Sequence, residues 1–552
     1  MTTIESSPDA VAVAADDTDG DASTAARWIA DVFTSTDHKV TGRLFLTGGL
    51  LGLLTVLVVN VLIGVERIDG ADVALDAEIL PQLVDAQRVG LVFAALLPLS
   101  MAAVVLFVPL QLGARAIAFP RLASMGFWMW FAGAVLNAVA LINNGGTSGL
   151  DGDMVGLFIA SIGLMAIGLT ATAGAVATTI LTTRAPGMTM RRVPPFSWSA
   201  LVYALGTILV MPVLLGTVAY LFLDHRNGRT GFGGNVGIAE WLGWIFTQPA
   251  TILFAIPTIG LLAELVPVLS GNRTAVRGLL FAGISLVGVA AFAGVAQQSI
   301  FNLPWAGSGL DTSDLGSKVE DLVPYLVLNA IPIVGVLLVL LVSVQTARPS
   351  DGSRFQFTPA FPFALFGFGM VFLGLLDNLL YAVDDVGLQG TVFEEGTTLF
   401  VVYGTALGTM GAIVHWAPKL WGAVIPAARA VPLALLGVVA TLLAALPLSI
   451  AGFLDQPAGL GYEDDDLAVW NIISLAGHGL MAVTFLGFVG LVLAATRGGD
   501  AGDDPWEAQT IEWATTSPAP RDNFTEVPVL HSAEPLLDAR TAAGTTTDGS
   551  DA

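Results

Sequence analysis

Five histidines, His38, His225, His415, His478 and His531, are all the imidazole that this 552-residue chain offers a metal. His38 and His225 sit in turn-like segments beside apolar runs, His415 precedes Trp416, His478 lies between two glycines in the last apolar run, and His531 is in a polar tail. A histidine within an apolar run suggests function by default. In these settings hydrogen-bonded structural roles account for His38 and His225, His478 is placed to face a cavity or a neighbouring helix rather than a metal, and His531 is solvated. No cysteine occurs, which excludes disulfides, thiolate catalysis and cysteine-held zinc, iron–sulfur or binuclear copper within the chain. Three carboxamides, Gln248, Gln297 and Gln298, lie in apolar surroundings. Such groups must find partners at lipid depth, so they read as a mutually bonded polar plug or as a polar site for a quinone or small solute. Glu264 and Asp377 fall near the ends of apolar runs, where a side chain reaches for the interface; proton transfer is the alternative reading.

The elements that must position these residues are transmembrane helices. Hydrophobic residues make up 54% of the chain and charged residues 12%, with a mean hydropathy of +0.76, which demands a bilayer. Runs of about 20 apolar residues, the length that crosses a core of roughly 30 Å, are centred near Leu53, Leu96, Ala134, Leu164, Ile208, Ala255, Val287, Val336, Phe372, Leu407, Ala440 and Ala482. The expectation is an all-α, polytopic bundle of twelve transmembrane helices over residues 28–497. Small residues such as Gly404 and Gly408 permit close helix approach. With the N-terminus inside, 17 Lys and Arg residues face the cytoplasm and 5 face out, so both termini are expected in the cytoplasm and the loops around Asp151, Asp311 and Glu463 outside.

The two ends are different material. Residues 1–27 and 498–552 are acidic, rich in Ser, Thr, Ala and Gly, and lack an apolar period, so both are expected to be disordered tails. The first 27 residues have no apolar core, and no cleavable signal peptide is expected. A net charge of −23 argues against a nucleic-acid partner and resembles the acid excess of proteins from salt-loving, halophilic microbes, where salt screens self-repulsion.

Several loops carry a more specific pattern: Ser35-Thr36-Asp37-His38-Lys39; Val108-Pro109-Leu110 with Ala118-Phe119-Pro120-Arg121; Arg184-Ala185-Pro186-Gly187-Met188 with Pro195-Phe196-Ser197-Trp198; Asp224-His225-Arg226-Asn227; His415-Trp416-Ala417-Pro418; and Trp470-Asn471-Ile472-Ile473-Ser474. Their content and order resemble the haem-copper oxidase subunit I (cytochrome c oxidase subunit I) family across most of residues 35–495. The resemblance implies a twelve-helix fold with two haems and a copper ion. It also locates their ligands, and none is histidine here. Gln87, eleven residues before Pro98, stands where the family places the first axial histidine of its low-spin haem. Gln248 stands at a copper histidine, Gln297 and Gln298 (or, one residue later, Gln298 and Ser299) at the paired copper histidines, and Gly396 and Thr398 at the two haem histidines that precede His415. His415 matches a family position that binds no metal.

Proton-path positions of the resemblance have changed as well: Ala116 replaces an entry acid, Val336 a lysine and Ile252 a tyrosine, while Asp455-Gln456 replaces the arginine pair that holds haem propionates. A carboxamide is a weak donor to iron or copper, both of which favour imidazole nitrogen, and an anionic Asp repels a propionate. No catalytic, metal or cofactor-binding residue is therefore expected, and no cofactor beyond a quinone or lipid in the emptied centre. Phe254, Phe301 and Phe400 are candidates to fill that centre. The expected function is a non-catalytic pseudo-oxidase subunit in the plasma membrane, partnered by other membrane subunits of a respiratory or electron-transfer complex. The competing readings are an active terminal oxidase or nitric oxide reductase, and a quinone-binding or transport protein that reuses the bundle.

Overall fold

The structure, a computed structural model, describes residues 32–33, 35–68, 75, 79–292, 326–350, 355–383, 386–459 and 466–547. Gln297, Gln298, Phe301, the tail 1–27 and the acidic run at Glu463 lie outside these residues.

Among the described residues, all regular structure is helical. In chain order the helices are α1 (His38–Glu66), α2 (Ile79–Gln111), α3 (Pro120–Ile142), α4 (Gly152–Thr182), α5 (Pro195–Arg226), α6 (Gly234–Phe246), α7 (Ala250–Ser270), α8 (Arg277–Val287), α9 (Ile331–Thr346), α10 (Phe361–Tyr381), α11 (Phe393–Trp421), α12 (Ala427–Phe453), α13 (Ala468–Ala495) and α14 (Pro535–Thr547). Helix starts follow local chemistry. Asp37 caps α1 by accepting from Lys39 N, Asp151 caps α4 by accepting from Asp153 N and Met154 N, and Pro120 and Pro195 open α3 and α5 at the one helical position where a missing N–H does no harm. Gly422, at φ +68°, ends α11 in a left-handed conformation that glycine adopts without strain.

Among the described residues, eleven stretches are long and apolar enough to span a bilayer, α6 and α7 counting as one. The shorter apolar α8 occupies the place of the run expected near Val287, and the residues after it, 293–325, lie outside the description.

Burial separates the spans into two groups. The most apolar window of α2 is 94% buried and those of α7 and α11 are 100% buried, against 39% in α3 and α13. Helices α2, α7 and α11 thus form the centre, and the rest turn one face outward. Close approach is built from small residues, as expected at Gly404: a Cβ on Gly367 of α10 would lie 2.6 Å from Gly404 O, and one on Gly408 would lie 2.4 Å from the Thr258 side chain of α7. With no hydrophobic drive between helices in lipid, such contacts supply packing.

The C-terminal tail differs from expectation. Residues 498–547 are ordered as a strap across one end of the bundle, with Trp506, Trp513 and Phe524 buried. Its order comes from the groups it covers rather than from its own periodicity. The buried ammonium of Lys39 donates to Pro520 O, Arg521 O and Asn523 Oδ1, each at 2.9 Å. Lys419 Nζ donates to Asp503 O at 2.8 Å and Thr515 O at 2.6 Å. Trp506 Nε1 donates to His415 O, Asn523 Nδ2 to Ala114 O, and Leu530 N to Pro186 O.

Candidate functional site

The described ligand-position residues sit on, or at the start of, the three central helices: Gln87 on α2, Gln248 just before α7, and Gly396 and Thr398 on α11. Gln87 and Thr398 line one cavity at the end of the bundle opposite the strap, together with Arg67, Arg88, Phe246, Glu394 and Glu395. The cavity measures about 40 Å³. That is room for a few waters, against roughly 300 Å³ and more for the pocket of a drug-sized ligand.

A continuous polar network occupies the wall of this cavity. Both hydrogens of the Gln87 carboxamide are used, one on Glu395 Oε1 at 2.7 Å and one on Asn60 Oδ1 at 3.0 Å. Glu395 Oε2 accepts from the Arg67 guanidinium at 2.7 Å, a pair whose side chains are 14% and 7% exposed. Arg67 also donates to Gly459 O. Asn60 Nδ2 donates to the Tyr403 hydroxyl, which lies 2.9 Å from His478 Nδ1. His478 Nε2 faces Ser474 Oγ at 3.5 Å. The chain of contacts ties α1, α2, α11 and α13 together, and each polar group it buries has a partner, as a low-dielectric interior requires.

The remaining ligand positions are also engaged or blocked. Thr398 Oγ1 donates to Glu394 O of its own helix at 3.0 Å. A Cβ on Gly396 would stand 2.9 Å from Ala445 O and 2.9 Å from Ser449 Oγ, so α12 already fills the space a side chain would need. Gln248, 4% exposed, differs: among the described residues neither of its carboxamide atoms has a hydrogen-bond partner, and nearby Thr251 Oγ1 is also bare. The expected bonding of Gln248 with Gln297 and Gln298 involves residues outside the description. Phe254 and Phe400 are buried, at 0% and 2% exposure. The ring at the cavity, however, is Phe246, packed edge-on to Phe93 at 6.0 Å.

The histidines are spread through the fold. His38 is buried with Nδ1 3.6 Å from Asp37, His225 Nε2 contacts Gly152 O at 2.6 Å, and His531 is exposed. His415 is enclosed by Trp416, Trp506 and Trp513 under the strap. Gln456 donates to Asn471 Oδ1 at 3.2 Å while Asp455 is exposed at φ +61°. Asp377 accepts from Ser449 Oγ. Glu264 departs from the expectation that it reaches for the interface: it is 4% exposed, and its Oε2 accepts from Phe196 N at 3.1 Å. The reason is the strap, which covers that end of α7 through Gln509 Nε2 bonded to Pro267 O and Asn272 O.

Sequence reading missed the Arg67–Glu395 pair. Its signals were a polar Asn60 in the middle of an apolar run and the acids Glu394 and Glu395 directly before the substituted positions of α11.

Comparison with known proteins agrees with this architecture. The profile of the family described as cytochrome C and quinol oxidase polypeptide I matches residues 40–480. Cytochrome c oxidase subunit 1 of Bacillus subtilis is 26% identical over 544 residues, covering 92% of this chain and 82% of that protein. Cytochrome c oxidase subunit 1 of Corynebacterium diphtheriae is 26% identical over 552 residues, covering 92% and 91%. Heme-copper oxidase subunit I+III of Aeropyrum pernix is 26% identical over 533 residues, covering 91% and 62%.

Proposed function

Since this chain belongs to the cytochrome C and quinol oxidase polypeptide I family, we propose that it is a non-catalytic, pseudo-oxidase membrane subunit of a respiratory or electron-transfer complex. One observation carries the reading. At the position of the first axial ligand, Gln87 has both N–H bonds committed to Glu395 and Asn60, inside a network anchored by Arg67. A carboxamide so held does not fit an iron ion, which favours an imidazole nitrogen oriented by a second shell. Thr398, bonded to its own helix, and Gly396, pressed against Ala445 and Ser449, offer no replacement donor. The polar network instead performs the mechanical part of a cofactor's work, joining α1, α2, α11 and α13.

The bias of basic residues supports a plasma-membrane orientation with the strap on the cytoplasmic side. A membrane scaffold kept without its ligands suits a subunit that holds or assembles partners. A second reading is favoured by the bare Gln248 carboxamide and Thr251 hydroxyl: both can hydrogen-bond a quinone carbonyl or another small polar molecule, since unpaired buried polar groups are costly.

One measurement tests both readings. Protein purified in mild detergent is scanned as reduced-minus-oxidised spectra, and its organic extract is analysed for haem and quinone. The expected result is co-purifying membrane subunits with no haem bands assignable to this chain. About one haem per chain overturns the first reading, and stoichiometric quinone with no haem favours the second.

A further inference from the structure

Under the strap, two acidic side chains are enclosed at the end of the bundle. Glu512 lies in the 3-10 turn Ile511–Ala514 and is 0% exposed. Its Oε1 accepts from Trp416 Nε1 at 3.2 Å and Gln111 Nε2 at 3.3 Å, while its buried Oε2 has no hydrogen-bond partner among the described residues. Gln111 faces Glu264 as well, and its oxygen is taken by Ser197 Oγ at 2.7 Å. The two carboxyls therefore flank one carboxamide, in a space closed by α2, α5, α7, α11 and the strap.

The charges around them are committed elsewhere. Arg277, the cation facing Glu264, pairs with Glu534 at 3.1 Å and donates to Val193 O. Lys419, the cation facing Glu512, spends its ammonium on Asp503 O and Thr515 O and lies 5.1 Å from the Trp513 ring centroid. His415 stacks among the tryptophans without a bond at Nδ1, and Asp503 and Asp504 add further negative charge near Lys419. Among the described residues no cation forms an ion pair with Glu264 or Glu512. Two ionised carboxylates in such a site repel each other and forgo hydration, a state proteins avoid by retaining a proton.

We propose that Glu264 and Glu512 together form a proton-binding site: seated, they share one proton, and lifting the strap passes it to water. The buried Oε2 of Glu512, without a hydrogen-bond partner among the described residues, is where an added hydrogen can sit. Burial pushes the Glu512 carboxyl above the ordinary value of 4.5, and its own backbone N–H, the Thr510 hydroxyl and the bonds from Trp416 and Gln111 pull it back only in part. An acid whose seated value is raised binds its proton more tightly when seated. Seating is therefore at full strength below the free value and weakens as pH rises from there through the seated value. The strap becomes an acid-stabilised latch that senses pH on its own side of the membrane.

The test uses the full-length protein in lipid nanodiscs, with hydrogen exchange followed in peptides covering residues 503–525. Between about pH 4 and about pH 9, exchange corrected for the intrinsic rate should rise about tenfold in the wild type, the change expected when the site holds its proton about ten times more tightly under a seated strap than under a lifted one. Glu512→Gln should hold the strap seated with a flat pH response, and Glu264→Gln should do the same should the first variant fold poorly. Asp504, also pushed up by burial but paired with Arg540 at 3.2 Å, is the control: Asp504→Asn should keep the wild-type response. A pH-independent wild-type strap overturns the proposal. So does a Glu512→Gln strap loosened at every pH, or loss of the response in Asp504→Asn.

Discussion

Glu395 and Glu512 occupy opposite ends of the same bundle and are compensated in different ways. Glu395 accepts from the Arg67 guanidinium and the Gln87 carboxamide beside a small cavity with room for water. Glu512 is wholly enclosed, accepts from an indole and a carboxamide, and keeps one oxygen bare. The first acid is neutralised by a fixed cation, so it can serve as a permanent tie between helices. The second has no fixed counter-charge, so its comfort depends on a proton that solvent can remove. One scaffold thus uses the same residue type as a rivet at one end and as a latch at the other.

The sharpest way to break this contrast is to remove the fixed cation. Arg67→Met leaves Glu395 partly buried without its partner and should cost about 3 kcal/mol, the lower part of the range for a broken buried pair because water reaches the cavity. Thermal unfolding in detergent should show a clear loss, and adding Glu395→Gln should restore most of it. If the single variant is as stable as wild type, the network is not a tie. A smaller effect is expected at the other end from Lys419→Met, which orphans Asp503 O and Thr515 O. That should loosen the strap by about 2 kcal/mol, read as faster exchange in 503–515 with α11 unchanged; equal loosening of α11 would mean that Lys419 supports the bundle rather than the strap. The smallest effect belongs to Tyr403→Phe, which removes the hydroxyl between Asn60 and His478. A loss of about 1 kcal/mol is expected, and it should shrink in the Arg67→Met background if the network acts as a unit.

How much of this was legible in the sequence depends on where order comes from. The spans were legible because lipid imposes a length and a composition on any helix that crosses it, and Gly404 and Gly408 announced close approach through their size. Gln87 and Thr398 could be placed by their distances from Pro98 and His415, and they do line one cavity. The Arg67–Glu395 pair was hidden because acids at a helix start and an arginine at a helix end read as solvated ends. Only the fold brings residues 328 positions apart within 2.7 Å. The strap was hidden for a different reason. Polar and aperiodic, residues 498–547 satisfy none of the rules for self-ordering, and they are held by Lys39, Lys419 and Trp416, whose need for partners appears only once the bundle exists. Trp506, Trp513 and Phe524 in an otherwise polar tail were the available clue.

The reach of Lys39 to Asn523, across 484 positions of chain, bears on how the molecule is made. A ribosome delivers the first span long before the segment that satisfies its ammonium, so throughout synthesis Lys39 and Lys419 wait with water for partners. Residues 498–547 close the assembly like a clasp, and without them two basic helix ends would be bare.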